Sequence, residues 1–436
     1  QTPNMDRIAL EGMRLDNCFC TNSICTPSRA SILTGLYSHK NGSIAFNSPD
    51  PNCITFPQLL RNDGYFTAMI GKWHLNIEPY GFDRWSVVPG QGQYFDPVFI
   101  DQGVRKTIPG YVTDITTDLT IEAIEDRPKD KPFCVLCHHK APHDPWEHHP
   151  RHENLFPDGS IGEPTNLFDD YSGRARAVVQ STQRIGSDSP GHTLYEDETG
   201  SIVDADERMR AQYQIYMQRY LRCVAAIDEG VGRLLDYLDQ KDLTRDTIVI
   251  YTSDQGFFLG EHGWYDKRFM YEESLRMPFV VRYPAAIDAG GTDDHLILNT
   301  DFAATLLDFA GIGSPSSMQS ESFRTILEGS EPHVWRDSFY YRYYYSHFNT
   351  PAHWGVRTDR HKLIYYHASD EWELYDIQAD PMEMTNLYDL PEHAALVERL
   401  KRRLAELQDE VDDHESGADG DRRAAELMRR PAHPMH

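Results

Sequence analysis

Cys25-Thr26-Pro27-Ser28-Arg29-Ala30-Ser31-Ile32-Leu33-Thr34-Gly35 sets a reactive side chain, a helix start and a fixed cation close together. Pro27 suits the first turn of a helix, where its missing N–H costs nothing, and Gly35 suits the stop, so Cys25 is predicted at the helix N-terminus. Free backbone N–H groups and the helix dipole there stabilise a thiolate, an oxyanion or a bound oxyanionic ester. Arg29, one turn along on the same face, adds a permanent positive charge. A buried cysteine ahead of an ordinary helix is the plain alternative.

Around this stretch the apolar pattern alternates between helix and strand periods. Residues 3–12 read as a short amphipathic helix closed by glycine, and 13–20 as an alternating strand leading to Cys25. Residues 55–64 read as a helix and 65–70 as a buried strand that delivers Gly71-Lys72-Trp73-His74 at its C-terminal end, where open α/β sheets place ligand-binding groups. Lys72 and His74, two apart on extended chain, face the same side. The apolar run 132–139 ends similarly, in His138-His139-Lys140-Ala141-Pro142-His143-Asp144-Pro145-Trp146. So many histidines make a zinc site a reading to weigh. Residues 150–202, rich in Gly, Pro, Asp and Ser, form a long irregular insertion, and 204–240 a helix whose apolar stripe packs the core. Residues 247–252 read as a buried strand of parallel type, followed by Ser253-Asp254-Gln255-Gly256, Gly260-Glu261-His262-Gly263 and Asp266-Lys267-Arg268. Oxygen donors at a strand end suit Ca²⁺ or Mg²⁺ rather than zinc. Beyond a Ser-, Pro- and Gly-rich shift at 313–336 come a small antiparallel sheet (338–377), a helix over 391–412, and a charged tail, 413–436, suited to flexibility or an oligomer contact.

Composition limits the partners. The 436 residues carry 42 Lys and Arg against 68 Asp and Glu, a formal net charge of −26, which argues against a nucleic-acid or anionic-membrane partner, since these need basic stripes and none is visible. An anionic substrate then needs a local positive pocket, and a bound divalent metal is an economical source of that charge. Seven cysteines, an odd number in a long chain, do not make a disulfide framework, and Cys134 and Cys137 read as buried strand residues despite their spacing. No apolar run approaches the ~20 residues of a membrane helix and no signal peptide opens the chain. A periplasmic or secreted location is favoured if such a peptide precedes it.

The full pattern Cys25-x-Pro27-Ser28-Arg29-x-x-x-Leu33-Thr34-Gly35 resembles the signature of the type I sulfatases of the alkaline phosphatase superfamily, in which this cysteine is oxidised after translation to formylglycine. Gly71 to His74, Ala141 to His143 and Ser253 to Lys267 resemble the same family, and the likeness extends from residues 2–7 to 372–377. The resemblance implies an α/β fold, an alkaline-phosphatase-like mixed sheet flanked by helices, with a catalytic domain over 1–325 and a smaller C-terminal sheet-plus-helix subdomain over 326–436. It implies a maturation enzyme that makes formylglycine at position 25, and one Ca²⁺ held by that residue, Asp254 and Gln255. The family usually has Asn or His where Gln255 stands. Its strand ending in an Asp-Asp metal pair comes before the cysteine helix, and this sequence begins after it. By the same resemblance Arg29, Lys72 and Lys267 hold the charged oxygens, His143 protonates the departing alcohol and His74 helps break down the sulfated intermediate.

Among oxyanion esters, two lysines, one arginine and one Ca²⁺ fit a sulfate ester better than a phosphate monoester, which carries about one more negative charge. A phosphonate or phosphate ester hydrolase of the same superfamily is the alternative, and an inactive glycan-binding relative is another. Trp146, His262, Trp264, His353, Trp354 and Arg357 offer aromatic faces with polar or cationic tips, which suit a sulfated sugar ring. The nearest resemblance is to sulfatases of glycosaminoglycans and related polysaccharides, such as N-acetylglucosamine-6-sulfatases and iduronate-2-sulfatases. It implies an exo-acting carbohydrate sulfatase.

Overall fold

A computed structural model describes residues 1–186 and 194–429. Its N-terminal helix α1 (Pro3–Leu10) leads into two short strands, β1 (Met13–Leu15) and β2 (Cys18–Phe19), and then helix α2 (Cys25–Thr34). The single strand expected over 13–20 is thus broken. Asp16 hydrogen-bonds to Asp293 O, and the two halves join different sheets. Helix α2 stops at Gly35, whose φ of 64° is left-handed and whose N–H closes onto Ser31 O.

Helix α3 (Phe56–Asn62) precedes strand β3 (Phe66–Lys72), the second-last strand of a five-stranded sheet. Its other members are β4 (Arg84–Val88), β5 (Val98–Asp101), β6 (Val104–Thr107) and, after helix α4 (Val112–Asp126), β7 (Phe133–His138). The order is β6-β5-β4-β3-β7, with β3 parallel to both β4 and β7. Gly71 in β3 has φ 97°, and a Cβ there would meet His138 O at 2.1 Å, so only glycine lets β3 lie this close to the end of β7. The 36-residue helix α5 (Ala205–Gln240), capped by the Asp204 carboxylate on Glu207 N–H, packs its apolar stripe with α4 and the inner face of the sheet.

Strand β8 (Val249–Thr252) corrects the expectation of a parallel strand. It pairs antiparallel with β9 (Phe279–Arg282) at the edge of a four-stranded sheet whose far edge is β10 (Gly291–Asp293). β7 and β8 are both edge strands, half-buried along their whole lengths. Cys134 and Leu136 face one apolar cluster and Val135 another, while Ile250 and Tyr251 of β8 likewise face opposite clusters. Their residual exposure is therefore through open edges.

Helix α6 (Asp301–Phe309) covers α2 and α3. The C-terminal sheet is antiparallel: β11 (Ser338–Tyr343), β12 (His353–Thr358), β13 (His361–Tyr366) and β14 (Glu371–Asp376), with helix α7 (Ala394–Val411) across it. Its inner face shares one apolar cluster with Phe19, Ile24, Cys25 and Phe258 to Leu275, which fixes the sheet against the cysteine helix. The tail holds a further helix, Gly417–Met428, capped by Ser416. Residues 430–436 of that tail and 187–193 of the insertion lie outside the described residues. No described helix is long and apolar enough to cross a membrane.

Candidate active site

Cys25 is the first residue of α2 and is 1% exposed. Ser28, one turn on, donates to Asp254 O and accepts from Asn299 Nδ2 at 2.8 Å, which ties the helix start to the end of β8. Arg29 ties it to two more strand ends. Its Nε donates to Asp254 Oδ2 at 2.7 Å, and its Nη1 to Lys72 O at 2.5 Å, 3.0 Å from His138 Nδ1. One guanidinium thus joins the C-terminal ends of β3, β7 and β8 beneath Cys25.

Lys72 ends β3 and is buried, and burial lowers its pKa to about 8. It makes no ion pair among the described residues. His74 lies just beyond in left-handed backbone, φ 54°, with its carbonyl accepting from Thr26 Oγ1 at 3.0 Å. Lys267 approaches from the other side, its Nζ 2.9 Å from Asp266 Oδ1, and Arg268 also pairs with Asp266. Burial opposes the charge on Lys267, yet Asp266 raises its pKa. Asp266 and Arg268 hold φ of 73° and 106°, so three buried non-glycine residues around this pocket, with His74, sit in sparsely populated backbone. Such conformations persist only where the surroundings over-determine them.

His143 follows β7 on a loop pinned at several points. Tyr94 OH donates to His143 O at 2.6 Å, Lys140 Nζ to Asp144 O at 2.9 Å and Trp146 Nε1 to Pro142 O at 2.8 Å. The His143 Nδ1 stands 2.7 Å from Asp144 Oδ1, which leaves Nε2 as the atom for a substrate. Burial first, then Lys72 and Lys267, lower the His143 pKa to about 4. Those lysines also act on Asp254: burial alone would raise it, but Arg29, Lys72 and Lys267 hold it at about 2. The structure therefore brings Cys25, Arg29, Lys72, His74, His143, Asp254 and Lys267 into one neighbourhood.

The histidines do not converge on zinc. His139 bonds Thr117 at 3.1 Å, His148 pairs with Glu153 and His152 with Glu229. Among the described residues, no three His, Cys, Asp or Glu side chains form a metal cage. Asp254 and Gln255 supply hard oxygens instead, and Gln255 Oε1 is buried with no hydrogen-bond partner. An orphaned amide oxygen beside a carboxylate fits part of a Ca²⁺ shell.

Five of the six expected sugar-binding residues require correction, being buried. Trp146 is buried 4.8 Å from the Tyr216 ring, and His262 is buried with Nδ1 2.8 Å from Asp169. Trp264, 0% exposed, stacks on Tyr171 and Phe269. His353 and Arg357 face the core from alternate positions of β12, His353 against Tyr366 and Arg357 against Glu272 and the Phe19 ring. Trp354, on the opposite face, stacks on His367. Trp264, His353 and Arg357 pack the junction between the C-terminal sheet and the rest, Trp146 packs against helix α5, and Trp354 is half-buried on the outer face of β12. Conversely, His138, Asp144 and Asp266 belong to the pocket. His138 and Asp266 end strands and Asp144 adjoins His143, and these positions beside the motif residues were the available signal.

Comparison with known proteins places this geometry. The sulfatase family profile matches residues 1–312, and that of the N-sulphoglucosamine sulphohydrolase C-terminal region matches 260–410. An N-acetylglucosamine-6-O-sulfatase of Bacteroides thetaiotaomicron is 44% identical over 471 aligned residues, covering 95% of this chain and 83% of that protein. An N-acetylglucosamine-6-sulfatase of Bos taurus is 25% identical, covering 86% and 74%. A solved structure of a protein in complex with its substrate D-glucosamine-2-N,6-O-disulfate superposes with a TM-score of 0.90 at 43% identity, covering 96% of this chain and 94% of that one.

Proposed function

The chain belongs to the sulfatase family, whose fold is alkaline-phosphatase-like, and from that premise we propose that it hydrolyses the 6-O-sulfate ester of a glucosamine unit in a sulfated saccharide. The observation that carries the reading is the surplus of cations at the Cys25 helix start: Arg29, Lys72, Lys267 and Arg268 against Asp144, Asp254 and Asp266. A buried site with excess positive charge takes up an anionic ester group, and a sulfate ester needs only one compensating charge. We read residues 1–325 as the part that carries this site and 326–436 as the part that covers it.

In this reading Lys72 and Lys267 hold the non-bridging sulfate oxygens, and the free helix N–H groups at Cys25 face the same anion. His143 protonates the departing sugar hydroxyl through Nε2, with Asp144 fixing the tautomer. His74, locked through Thr26, stands ready to assist the breakdown step. Asp254 and Gln255 would hold a Ca²⁺. When present, Ca²⁺ supplies further positive charge beside the nucleophile, and formylglycine made from Cys25 by a maturation enzyme supplies an oxygen nucleophile in place of the thiol.

The test is release of free sulfate, with calcium present, from N-acetylglucosamine 6-sulfate, from N-sulfoglucosamine 6-sulfate and from 4-nitrophenyl sulfate, phosphate and phosphonate esters. The reading expects the highest kcat/KM on a glucosamine 6-sulfate. Higher values on every nitrophenyl ester than on either sugar would overturn it.

A further inference from the structure

The cations, the cysteine and the two histidines account for the sulfate group, but not for the sugar, and five of the six residues expected to hold the sugar are buried elsewhere. The chain segment that follows β11 supplies what is missing. β11 is anchored beside the pocket on both sides. Tyr341 OH donates to Arg268 O at 2.6 Å and accepts from Ser23 N–H at 3.2 Å, so the strand spans from the residue before Ile24 and Cys25 to the residue after Lys267.

Beyond Tyr343 the chain turns over this pocket. The Tyr345 ring lies 6.1 Å edge-on from Phe46, and Phe46 lies 6.1 Å from the His74 imidazole. Three residues later Phe348 lies under the Arg268 guanidinium, 4.8 Å from ring centre to charge, and 6.1 Å from Tyr265. The segment therefore runs from the His74 wall to the Lys267–Arg268 wall.

Its conformation is tightly determined. His347 and Thr350 exchange backbone hydrogen bonds of 3.3 and 2.8 Å, and between them Phe348 and Asn349 have φ of 52° and 55°, a mirror-image two-residue turn. Left-handed backbone is costly for phenylalanine, and here the Phe348 ring is held by Arg268 while its carbonyl accepts from Thr182 N–H at 2.9 Å. The result presents Tyr345 and His347 as a stacked pair, rings 6.1 Å apart and within 20° of parallel, with Ser346 and Asn349 exposed beside them. An aromatic platform edged by a hydroxyl, an imidazole and an amide suits an uncharged hydroxyl-bearing ring rather than a second anion.

We propose that Tyr345, His347 and Asn349 form the specificity wall of this enzyme, on which the pyranose ring lies while its free hydroxyls bond to His347 and Asn349. This rests on the sugar-sulfatase reading above. Each lost bond to a neutral hydroxyl should weaken sugar selection about fivefold to tenfold.

The experiment measures kcat/KM of the whole protein on N-acetylglucosamine 6-sulfate and on 4-nitrophenyl sulfate, which has no ring hydroxyls, for the wild type and for His347→Ala and Asn349→Gly. Asn349→Gly removes the amide and tolerates the positive φ, so it keeps the turn if the other variant disturbs it. The expected result is a fall of at least fivefold in the sugar-to-aryl ratio of kcat/KM in both variants, carried mainly by KM on the sugar. A ratio within twofold of wild type in Asn349→Gly and His347→Ala would overturn the proposal. A wild type that releases sulfate from no sugar ester would overturn the function reading itself, and this wall with it.

Discussion

Two buried clusters of charge lie a short stretch of chain apart, and they are built to opposite ends. In the pocket, Arg29, Lys72, Lys267 and Arg268 outnumber Asp144, Asp254 and Asp266. Behind it, where the segment after Arg268 meets the C-terminal sheet, Lys362 pairs with Glu272 at 3.0 Å and with Glu383 at 2.7 Å, and Arg357 with Glu272 at 3.2 Å. The second cluster is balanced, each cation with its carboxylate. A balanced buried network meets its own charge, whereas an unbalanced one keeps an unmet demand for an anion. Burial alone therefore does not mark a site; the uncompensated sign does.

Substitutions in the two clusters should separate cleanly. Lys72→Ala or Lys267→Ala should lower kcat/KM for sulfate release by roughly 10²- to 10³-fold, as removing one preorganised charge does, with little change in Tm. Lys362→Ala strands Glu383 and part of Glu272 in the interior and should cost about 3–5 kcal/mol of stability, read as a lowered denaturation midpoint, while the surviving folded fraction keeps its activity. If Lys362→Ala instead abolishes turnover at full stability, the distinction between the clusters fails.

The unbalanced pocket should also show in the pH profile. In the free enzyme the proton on His143 is lost above about 4 and the charge on Lys72 above about 8. Both losses remove positive charge from the pocket, so kcat/KM for sulfate release should fall as pH rises, with a further drop beyond pH 8. A rise between pH 7 and 9 would contradict the assigned roles.

A smaller effect belongs to the balanced side. Burial, then Glu383, raises the Glu273 carboxyl to about 8 from 4.5, so the folded protein keeps a proton that the unfolded chain releases. Its contribution to stability is present below the unfolded value and is lost as pH climbs from about 4.5 to 8. Glu273→Gln should therefore flatten the decline of Tm between pH 5 and 8. An identical decline in wild type and variant would show that Glu273 is ionised in the folded protein.

What the sequence made legible was local. The helix start at Cys25, its glycine stop, and the apolar runs that deliver Lys72, His138 and Asp254 at strand ends all follow from spacing within ten residues. The antiparallel pairing of β8 with β9 was not legible, because an apolar run of this length suits either sheet type and the partner lies some thirty residues on. Nor were Trp264, His353 and Arg357. A ring with a polar tip reads alike whether it stacks on a sugar or on Phe269, and only long-range packing decides. The turn at Phe348-Asn349 carries neither glycine nor proline, so its mirror-image form is imposed by the contacts of Phe348 rather than announced by composition.

If position 25 performs the attack on a sugar sulfate, the initial rate of sulfate release from N-acetylglucosamine 6-sulfate must collapse between wild type and a Cys25→Ala variant with an unaltered melting curve. Alanine is tolerated at a helix start, so the fold should survive. The expected loss is roughly a thousandfold or more. A folded Cys25→Ala protein that retains a rate within tenfold of wild type would contradict it.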